Sequence, residues 1–410
     1  MGQNTRTKMV ERTQVAVIGS GPAGMTAARH LEESDIQYLL VSKESAPGDS
    51  KVCGGFIPQP ALEGFQLENL QGSHEVYGAR LRFPRYGPQN VWFDDCVGVN
   101  ATRADLGSAL TEKIESSTGN MKLGATVTSV DCDNRGCVVT YTLNGNKSRM
   151  ESELVIDASG SRPVSSKHDG VRPYLSDNEM GYAFQYQVSY TNRETKFPEL
   201  NSFYFGSRYS PKGYAWIFPR GGDAAVGTGG LLNILRQRNT PLPTYLDRLL
   251  RDETSGPQSH NHLKIVKREG ALIPLAGVVR PSYGKRLMLA GDAAAHCSPI
   301  SGEGIHYAMI AGRLASAVAK QCCDQNDFSE ENLKSYETRW QKALGSDLKW
   351  GRRIQRRFMG SSSGAPSSKF LQSDTALKTV AEMLLGLRAV RSTILRCLPA
   401  YIKSRIAFWQ

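Results

Sequence analysis

The sequence predicts an α/β protein in which a nucleotide-binding domain is interrupted by an antiparallel sheet and followed by a helical region. Three observations predict this fold. A short apolar strand near the N-terminus runs directly into a glycine-rich turn and a helix. Segments between residues 180 and 219 alternate their side chains with the period of a β-strand, which predicts antiparallel strands with one buried face. Beyond Cys323, apolar residues recur at helical spacing.

Length and composition describe an ordinary globular chain. Its 410 residues suffice for two or three domains, and 40% of them are hydrophobic while 22% are charged. No apolar run approaches the roughly 18 residues of a membrane span, and the first residues lack the apolar centre of a signal peptide. We therefore expect a cytoplasmic location.

Cysteine and histidine patterns argue against disulfides and metals. The eight cysteines are scattered without a CxxC pair, so we expect reduced thiols and no metal site. His260 and His262 form an HxH pair in a polar stretch. This pair favours a surface loop, because no third ligand lies nearby.

A dinucleotide-binding fingerprint follows the first strand. Residues 15–18 lead into Gly-x-Gly-x-x-Gly and then a helical pattern, which is typical of a Rossmann-like domain. The glycines let the backbone approach a pyrophosphate, and the helix N-terminus offers free N–H groups. The motif predicts cofactor contacts at Gly19, Gly21, Pro22, Ala23 and Gly24.

The second predicted strand spans residues 36–42. An acidic residue at the end of this strand would normally bind the adenosine ribose. Ser42 occupies that position here, and Glu44 lies 20 residues after Gly24. We expect Ser42 and Glu44 to lie at the ribose.

Another strand–turn–helix block lies some 270 residues beyond the fingerprint. Residues 287–290 predict a buried strand that ends at Gly291 and Asp292. An aspartate there can accept hydrogen bonds from ribityl hydroxyls, and the next helix can face the side of a flavin where negative charge develops on reduction. Nicotinamide dehydrogenases do not need this block, so the pair of motifs predicts a flavin protein. The helix is expected to contact the flavin through Gly302, Gly304 and Ile305.

Two shorter blocks complete the predicted cofactor site. Residues 153–163 form a strand followed by a turn, with Asp157 and Gly160 as candidate contacts. Arg103 comes just before an apolar helical stretch that starts near Leu106. Arg103 either contacts the cofactor or lies in solvent near the helix start.

These blocks together resemble the FAD-dependent oxidoreductases of the p-hydroxybenzoate hydroxylase type. Two stretches are similar to the geranylgeranyl reductase family within that superfamily. One is the turn Cys53-Gly54-Gly55 in KVCGGFIP, and the other is YAWIFP, residues 214–219, which fits the family's Y-x-W-x-F-P pattern. AAVGTGG at 224–230 and SGEGIHYAM at 301–309 resemble the same family. The resemblance covers about residues 13–345.

The resemblance implies a Rossmann-like FAD-binding domain with an inserted antiparallel-sheet substrate domain and a C-terminal helical region. We place the FAD-binding parts at 13–165 and 271–325, the substrate domain at 166–270 and the helical basic region at 326–410. It implies reduction of double bonds in geranylgeranyl chains, with an archaeal glycerolipid as the first expectation. No second nucleotide fingerprint precedes a helix, so electrons would come from transiently bound NAD(P)H or from ferredoxin.

Tyr214, Trp216 and Phe218 alternate and therefore share one face of a strand. An aromatic face is either ordinary core or the wall of an apolar cavity. The resemblance favours a substrate-binding wall here, with Gly54 and Gly55 beside it. For the neighbouring Phe203 and Phe205 we expect core packing.

Reduction of an isolated alkene also requires a proton. Cys53 is the leading catalytic candidate, because a neutral thiol can carry a proton near neutral pH. A structural cysteine between two glycines is the alternative. Tyr214 and His306 are rival donors, whereas His296 is expected to pack in the interior.

The C-terminal region concentrates the positive charge. The net charge is +11, and residues 345–410 hold 12 Lys and Arg against 3 Asp and Glu. Apolar residues between 377 and 398 follow helical spacing, Pro399 is expected to end that helix, and Phe408 and Trp409 lie near the chain end. This pattern favours peripheral docking on the inner face of the cell membrane over nucleic acid. A helix packed on the body is the alternative.

Two other functions fit the same blocks. A monooxygenase or halogenase of this fold would act on an apolar substrate with O₂. An electron-transfer flavoprotein that reduces quinone would require an iron–sulfur ligand set, which the scattered cysteines do not offer.

Overall fold

A computed structural model describes residues 11–49, 52–84, 86–114, 120–167, 171–190, 199–253, 263–360 and 373–406. Its strands are β1 (Glu11–Ile18), β2 (Tyr38–Val41), β3 (Phe56–Pro58), β4 (His74–Val76), β5 (Gly78–Arg82), β6 (Gln89–Trp92), β7 (Gly98–Asn100), β8 (Met121–Lys122), β9 (Thr126–Cys132), β10 (Cys137–Leu143), β11 (Asn146–Asp157), β12 (Met180–Tyr190), β13 (Asn201–Phe205), β14 (Tyr214–Pro219), β15 (Asp223–Leu231), β16 (Leu263–Pro274), β17 (Tyr283–Gly284) and β18 (Leu287–Leu289).

The α-helices are α1 (Pro22–Glu32), α2 (Gln59–Phe65), α3 (Arg103–Glu112), α4 (Leu232–Arg236), α5 (Leu242–Glu253), α6 (Ile305–Gln325), α7 (Glu330–Trp340), α8 (Ser346–Gly360), α9 (Asp374–Leu384) and α10 (Val390–Ile406). Short 3₁₀ turns span Val164–Lys167 and Gly291–Ala294, and a π-helical turn spans Gln341–Gly345.

The first sheet has the order β17-β18-β11-β1-β2-β8, with β10 and β9 added beside β11. The pairs β18–β11, β11–β1, β1–β2 and β2–β8 are parallel. Because the carboxyl ends of parallel strands share one edge, the turns after β1, β11 and β18 meet there. This arrangement brings together three blocks that are far apart in the sequence.

Helices α1 and α6 pack closely on one face of this sheet. A Cβ at Gly312 of α6 would lie 2.2 Å from the carbonyl oxygen of Ala23, so only glycine permits this approach. Met25, Ala28 and Leu31 of α1 are fully buried in the resulting core. The contact fixes the N-terminus of α6 relative to the fingerprint turn.

The second sheet has the order β16-β12-β15-β14-β13-β5-β6. Strands β12 to β16 are antiparallel as predicted, whereas β5 pairs with β13 in parallel. Strands β5 and β6 lie between residues 78 and 92, inside the stretch that we assigned to the FAD-binding part. The second sheet is therefore larger than the predicted insertion 166–270. The predicted domain boundaries themselves stay a prediction.

Both faces of the second sheet are buried, although the alternation predicted one buried face. Leu246 and Leu249 of α5 pack with Tyr186 and Val188 on one side. On the other side, α9 packs with Phe203, Trp216 and Phe218, through Leu377, Ala381 and Leu384. The prediction of a single buried face is wrong, because α9, which comes from a distant part of the chain, covers part of the second face.

A three-stranded sheet, β3-β7-β4, joins the two larger sheets. Asn100 at the end of β7 is fully buried. Its Nδ2 donates to Asn201 Oδ1 at 2.7 Å and to the carbonyl oxygen of Pro219 at 2.8 Å. Buried amide hydrogen bonds of this kind are costly to break, so they hold the ends of β13 and β14 in place.

Two expectations for cysteines and the C-terminus are corrected. Cys132 and Cys137 stand opposite each other on β9 and β10 and form a disulfide, so these two thiols are not free. The C-terminal segment forms two helices separated at Gly386, whose φ is +67°. Pro399 lies inside α10 instead of ending it.

No helix within the described ranges is both long and apolar enough to cross a bilayer.

Candidate functional site

The three glycines of the fingerprint have different surroundings. Gly19 has φ +98°, and a Cβ there would lie 2.5 Å from the carbonyl oxygen of Ala158. A Cβ at Gly24 would lie 1.8 Å from the carbonyl oxygen of Gly19. A Cβ at Gly21 would meet nothing within 4 Å. The first and third glycines therefore serve chain packing, while the second leaves open space beside the helix N-terminus.

That N-terminus suits a negatively charged group. Gly21 is the N-cap of α1 and provides no side-chain cap, and Pro22 is the first helical residue. The first turn of α1 has no acidic residue. Its free N–H groups and the helix dipole favour a pyrophosphate. Ala23 is buried beneath Gly291 and Gly312, so its role is to pack the two helices together.

Ser42 and Glu44 lie beside the fingerprint turn, as expected for the ribose position. The hydroxyls of Ser20 and Ser42 are 2.7 Å apart, and Ser20 Oγ donates to Glu44 Oε2 at 3.3 Å. Glu44 Oε2 also accepts from the backbone N–H of Gly48 at 3.0 Å. This buried cluster holds the loop after β2 against the fingerprint.

Asp157 has a structural role. Its carboxylate is fully buried. One oxygen accepts from the hydroxyl and backbone N–H of Ser159, and the other accepts from the same two groups of Ser165. These bonds shape the turn that contains Gly160, whose φ is +100°.

The turn after β18 is held by an arginine that the sequence did not suggest. Arg172 is 1% exposed, and its Nε donates to the carbonyl oxygen of Ala293 at 2.9 Å. Gly291 has φ +63°, and a Cβ there would lie 3.0 Å from the Cβ of Ala23. Asp292 is half-buried in this turn, where its side chain can reach a ligand. A single arginine outside any motif offers no sequence signal.

Arg103 is the first residue of α3. Thr102 and Asp105 form a capping box around it. Its backbone carbonyl would lie 2.0 Å from a Cβ at Gly48, so the loop after β2 rests on this helix start. Both predicted alternatives for the Arg103 side chain stay open.

The aromatic face of β14 meets the Cys-Gly-Gly turn directly. A Cβ at Gly54 would lie 2.9 Å from two ring carbons of Phe218 and 3.3 Å from Trp216 Nε1. Gly55 has φ +92°, and a Cβ there would lie 2.2 Å from the carbonyl oxygen of Ala101. Both glycines are thus required for the turn to approach the wall. We call this junction, formed by residues 53–55 and the rings of Tyr214, Trp216 and Phe218, the aromatic junction.

Gly227 explains why a glycine-rich strand follows the aromatic one. It pairs with Trp216 across β14 and β15, and a Cβ there would lie 2.0 Å from the Trp216 ring. On its other side Gly227 pairs with Gln185 of β12. The indole ring therefore lies flat over β15, next to Gln185.

Gln185 is a second residue that the sequence did not indicate. It is 1% exposed, and its Nε2 donates to the carbonyl oxygen of Cys53 at 3.0 Å. Gln185 Oε1 and Trp216 Nε1 are buried without a hydrogen-bond partner in the described part of the chain. Two such atoms beside the turn are available to a bound molecule.

Tyr214 links the aromatic junction to the start of α6. Its hydroxyl donates to the carbonyl oxygen of Ser301 and lies 3.8 Å from the Cβ position of Gly302. Gly304 is the N-cap of α6, and Ile305 begins it. A Cβ at Gly304 would lie 3.6 Å from Asp292 Oδ1. The residues predicted for the flavin and those predicted for the substrate are therefore continuous.

Phe203 and Phe205 belong to the same face as the aromatic junction. The ring centroid of Phe203 lies 5.4 Å from Phe218 and 5.7 Å from Tyr214. Phe203 is 2% exposed, which agrees with the expected core packing. Phe205 is half-buried and stacks on Phe83 at 4.9 Å.

The candidate proton donors differ in their surroundings. Burial raises the pKa of Tyr214, with Cys297 and Cys53 contributing, so the phenol keeps its proton at neutral pH. Burial lowers the pKa of His306 to about 4, helped by the charge of Arg313, so this imidazole is neutral at pH 7. His306 packs edge-on against Phe65. Cys53 is half-buried beside the junction.

His296 is packed in the interior, as expected. It is fully buried against the indole ring of Trp340, with ring centroids 4.6 Å apart. Neither ring nitrogen has a hydrogen-bond partner among the described residues. Burial, then the charge of Arg172, lowers its pKa to about 3.

Metal binding finds no support in the described ranges, where no group of three His, Cys, Asp or Glu side chains could hold an ion. His260, His262, Phe408 and Trp409 lie outside the described residues.

The residues present fit FAD. The open space at Gly21 and the uncapped α1 N-terminus suit a pyrophosphate. The buried cluster of Ser20, Ser42 and Glu44 beside this turn has hydroxyl and carboxylate groups that suit a ribose. The turn of Asp292 and the uncapped N-terminus of α6 suit the ribityl chain and the flavin ring.

Comparisons with known proteins agree with this geometry. Residues 13–194 match the family model of the pyridine nucleotide-disulphide oxidoreductases, and residues 179–271 match the geranylgeranyl reductase catalytic domain. The digeranylgeranylglycerophospholipid reductase of Methanocaldococcus jannaschii is 27% identical over 83% of this chain and 86% of its own length. That of Methanosarcina acetivorans is 28% identical over 82% of each chain.

One solved structure shares the whole fold. A geranylgeranyl bacteriochlorophyll reductase-like protein from Thermoplasma acidophilum superposes with a TM-score of 0.80 at 23% identity. The match covers 96% of this chain and 98% of the other.

The fold and the site define an FAD-dependent oxidoreductase, which confirms the predicted fold class and cofactor. Within that class, residues 179–271 match the geranylgeranyl reductase catalytic domain, and the chain is similar to the archaeal digeranylgeranylglycerophospholipid reductases. The resemblance seen in the sequence is thereby confirmed.

Proposed function

We propose that this protein reduces C=C double bonds in the geranylgeranyl chains of membrane lipid precursors. The observation that carries the proposal is the aromatic junction. It joins an aromatic face to the Cys-Gly-Gly turn on one side and, through Tyr214, to the loop before α6 on the other. An isoprenoid chain on this face would lie beside the cofactor.

Bound FAD, once reduced, supplies the hydride that an isolated alkene requires. The chain's own residues must place the alkene and exclude water. Trp216 and Phe218 are 8% and 9% exposed, so water has little access to the junction, and a substrate chain must use the part of the face that α9 leaves uncovered. Each buried methylene contributes only about 0.8 kcal/mol, so affinity for an isoprenoid requires a long contact surface.

Such a surface extends beyond the junction. The ring centroids of Phe205 and Tyr214 are 6.1 Å apart. Phe205 also lines a groove of about 610 Å³. The groove is also lined by Phe83 and by Arg208, which pairs with Asp252. We propose that the chain of the substrate runs from the junction into this groove.

Hydride addition to one alkene carbon must be matched by a proton on the other. Cys53 and Tyr214 both lie at the aromatic junction. The raised pKa of Tyr214 keeps its phenol protonated at neutral pH. We assign Cys53 as the group that gives its S–H proton to the carbon, after which solvent restores the thiol. Gln185 positions Cys53, because Gln185 Nε2 donates to the backbone carbonyl oxygen of Cys53.

Replacing Cys53 by alanine tests this assignment. We expect single-turnover alkene reduction by the pre-reduced enzyme to slow by about 10²-fold, which is the usual contribution of a positioned acid. Cys96→Ala is the matched control, because Cys96 is half-buried and only donates to the carbonyl oxygen of Gly98. Equal rates for both variants would remove Cys53 from the mechanism and leave Tyr214.

We propose NAD(P)H or a reduced ferredoxin as the electron donor, and peripheral binding to an anionic membrane as the route to the lipid. Helix α10 supports membrane binding. Leu395, Leu398 and Ile402 share one face of this helix and are 61%, 45% and 47% exposed. Arg391 and Arg396 are exposed on the same helix, which suits anionic headgroups.

Mass spectrometry of the lipid product tests the function. Dithionite-reduced enzyme is incubated without oxygen with a digeranylgeranyl glycerophospholipid. We expect a gain of two hydrogens for each reduced bond. A product that gains oxygen only in air would replace the proposal with a monooxygenase, and an unchanged lipid with rapid quinone reduction would replace it with an electron-transfer flavoprotein.

A further inference from the structure

Glu303 is a carboxyl group at the start of α6 that the proposed alkene reduction does not use. It lies between Gly302 and Gly304, and only 14% of its side chain is exposed. A Cβ at Gly302 would lie 3.8 Å from the Tyr214 hydroxyl, and one at Gly304 would lie 3.7 Å from Cys297 Sγ. Glu303 is thus embedded in the loop that borders both predicted sites.

The surroundings of Glu303 provide little compensation for a negative charge. Its Oε1 is buried without a hydrogen-bond partner in the described part of the chain and lies 3.9 Å from His306 Nδ1. Its Oε2 lies 3.1 Å from the Cβ position of Gly386, in the turn between α9 and α10. Burial and the missing donor at Oε1 disfavour a carboxylate here and favour the neutral acid.

The titratable and charged groups that face Glu303 come from several elements. They are His306 and Tyr307 on α6, Cys297 in the preceding loop, and Asp347 on α8. The turn at Gly386, next to Glu303, is flanked in sequence by the ion pair of Arg388 and Glu382.

Burial, more than these neighbours, keeps the carboxyl group of Glu303 near its titration point at neutral pH. Burial, then the charge of Asp347, raises the pKa of Glu303 to about 7. His306 does not offset this, because it is neutral at the same pH. Arg388 lies 2.5 Å from Glu382, which neutralises its charge. A modest change in nearby charge would therefore switch the protonation of Glu303.

Reduction of the cofactor is such a change. The N-terminus of α6 suits the side of the flavin where negative charge develops on reduction. Glu303 directly precedes the N-cap of that helix. A new negative charge disfavours a neighbouring carboxylate and favours its protonated form.

We propose that Glu303 is a redox-linked proton site, which takes up a proton from solvent when the bound flavin is reduced and releases it when the flavin is reoxidised. The proposal rests on the assignment of FAD to the N-terminus of α6. Two electrons from the donor enter the flavin, and one proton beyond those that the flavin itself takes up enters Glu303. Alkene reduction removes the hydride, and the Glu303 proton then leaves.

The midpoint potential of the FAD-loaded protein measures this uptake directly. For a two-electron couple, each additional proton steepens the dependence of the potential on pH by about 30 mV per pH unit. Below about pH 7 Glu303 already holds a proton with the oxidised cofactor, so the additional slope is expected only above pH 7. We expect the wild type to be steeper there than Glu303→Gln by about 30 mV per pH unit. Glu63→Gln, at an exposed position of α2, is the matched control and should behave as wild type.

Superimposable slopes for wild type and Glu303→Gln above pH 7 would overturn the proposal. If Glu303→Gln fails to retain FAD, Glu303→Asp takes its place. Above its bend, the plot of midpoint potential against pH must then keep the wild-type slope for Glu303→Asp, while the pH of the bend shifts. A Glu303-dependent slope in a protein that leaves geranylgeranyl lipids unchanged would support this inference and reject the proposed function. Alkene reduction with equal slopes would do the reverse.

Discussion

At the scale of single residues, the glycines of this chain divide into those that pack the protein and those that leave space. Gly19, Gly24 and Gly55 are forced, because a Cβ would strike a backbone carbonyl. Gly21 faces open space, and Gly54 faces an aromatic ring. These two are the positions where an added methyl group reports on a ligand site.

Gly21→Ala should weaken FAD binding without weakening the fold. The added methyl group meets nothing within 4 Å in the protein, so it occupies only the space where a pyrophosphate would approach. We expect at least a tenfold loss of FAD affinity in a fluorescence titration, with an unchanged apoprotein melting temperature. Gly24→Ala is the contrasting variant and should destabilise the apoprotein. Unchanged FAD affinity in Gly21→Ala would contradict the predicted cofactor position.

Gly54→Ala should disturb the aromatic junction. Its methyl group would stand 2.9 Å from the Phe218 ring, closer than real contacts allow, so the ring must move. We expect a stability loss of about 1–3 kcal/mol in chemical denaturation and a raised KM for the lipid. Gly64→Ala is the control, since that glycine in α2 has nothing within 4 Å and its replacement should stabilise the protein by about 0.5–1 kcal/mol. If Gly54→Ala and Gly64→Ala have the same KM for the lipid, the aromatic junction does not contact the substrate.

His296→Leu should reduce the sensitivity of the protein to acid. The folded pKa of about 3 lies below the ordinary 6.5, so wild-type stability is complete above pH 6.5 and is lost as the pH falls toward 3. Removing the imidazole removes this loss, which is on the order of 5 kcal/mol across that window. Denaturation at pH 7.5, 5.5 and 4 should show the variant gaining on wild type as the pH falls. Parallel profiles would mean that His296 is protonated or solvated in the fold.

Single-residue roles were predictable where they depend on local spacing. The fingerprint glycines follow a fixed pattern, so Gly21 could be located from the sequence. Arg172 and Gln185 could not, because each acts on a backbone carbonyl more than 100 residues away. Glu303 carried a signal that was overlooked, since a charged residue between two glycines at a helix start is conspicuous.

At the scale of elements, strands with clear alternation were located well. The sequence stretch MGYAFQYQVSY coincides with β12, and YAWIFP coincides with β14. What alternation could not reveal is which element covers each face. Helix α9 comes from a distant part of the chain and packs on the aromatic face, so a strand expected to be exposed on one side is buried on both.

The corrected elements have physical causes of the same kind. The Cys132–Cys137 disulfide depends on the register of β9 and β10, which spacing alone does not give. The helix predicted from 377 onward is divided because Gly386 adopts a positive φ. Pro399 is accommodated within α10, and the exposed face around it continues to Ile402.

At the scale of the whole molecule, two distant groups of residues converge. The carboxyl edge of the first sheet collects the blocks predicted to bind the cofactor, and the second sheet brings its aromatic face to the loop before α6 through Tyr214. The outer face of α10 is then the most apolar exposed helix surface of the described chain.

Vesicle flotation tests the role of that outer face. Wild-type protein should float with anionic vesicles at physiological salt, and Leu395→Ser combined with Leu398→Ser should weaken binding about tenfold or more. Val266→Ser is the control, because Val266 is 63% exposed on β16, away from α10. Wild-type protein that stays at the bottom of the gradient would rule out membrane docking by α10.

The most direct test of the central claim is the absorbance of the pre-reduced enzyme mixed anaerobically with a digeranylgeranyl lipid. If the aromatic junction holds an alkene against the flavin, the oxidised flavin spectrum returns, with one flavin reoxidised for each double bond saturated. The account is contradicted if the flavin stays reduced in excess lipid and reoxidises only when oxygen is admitted.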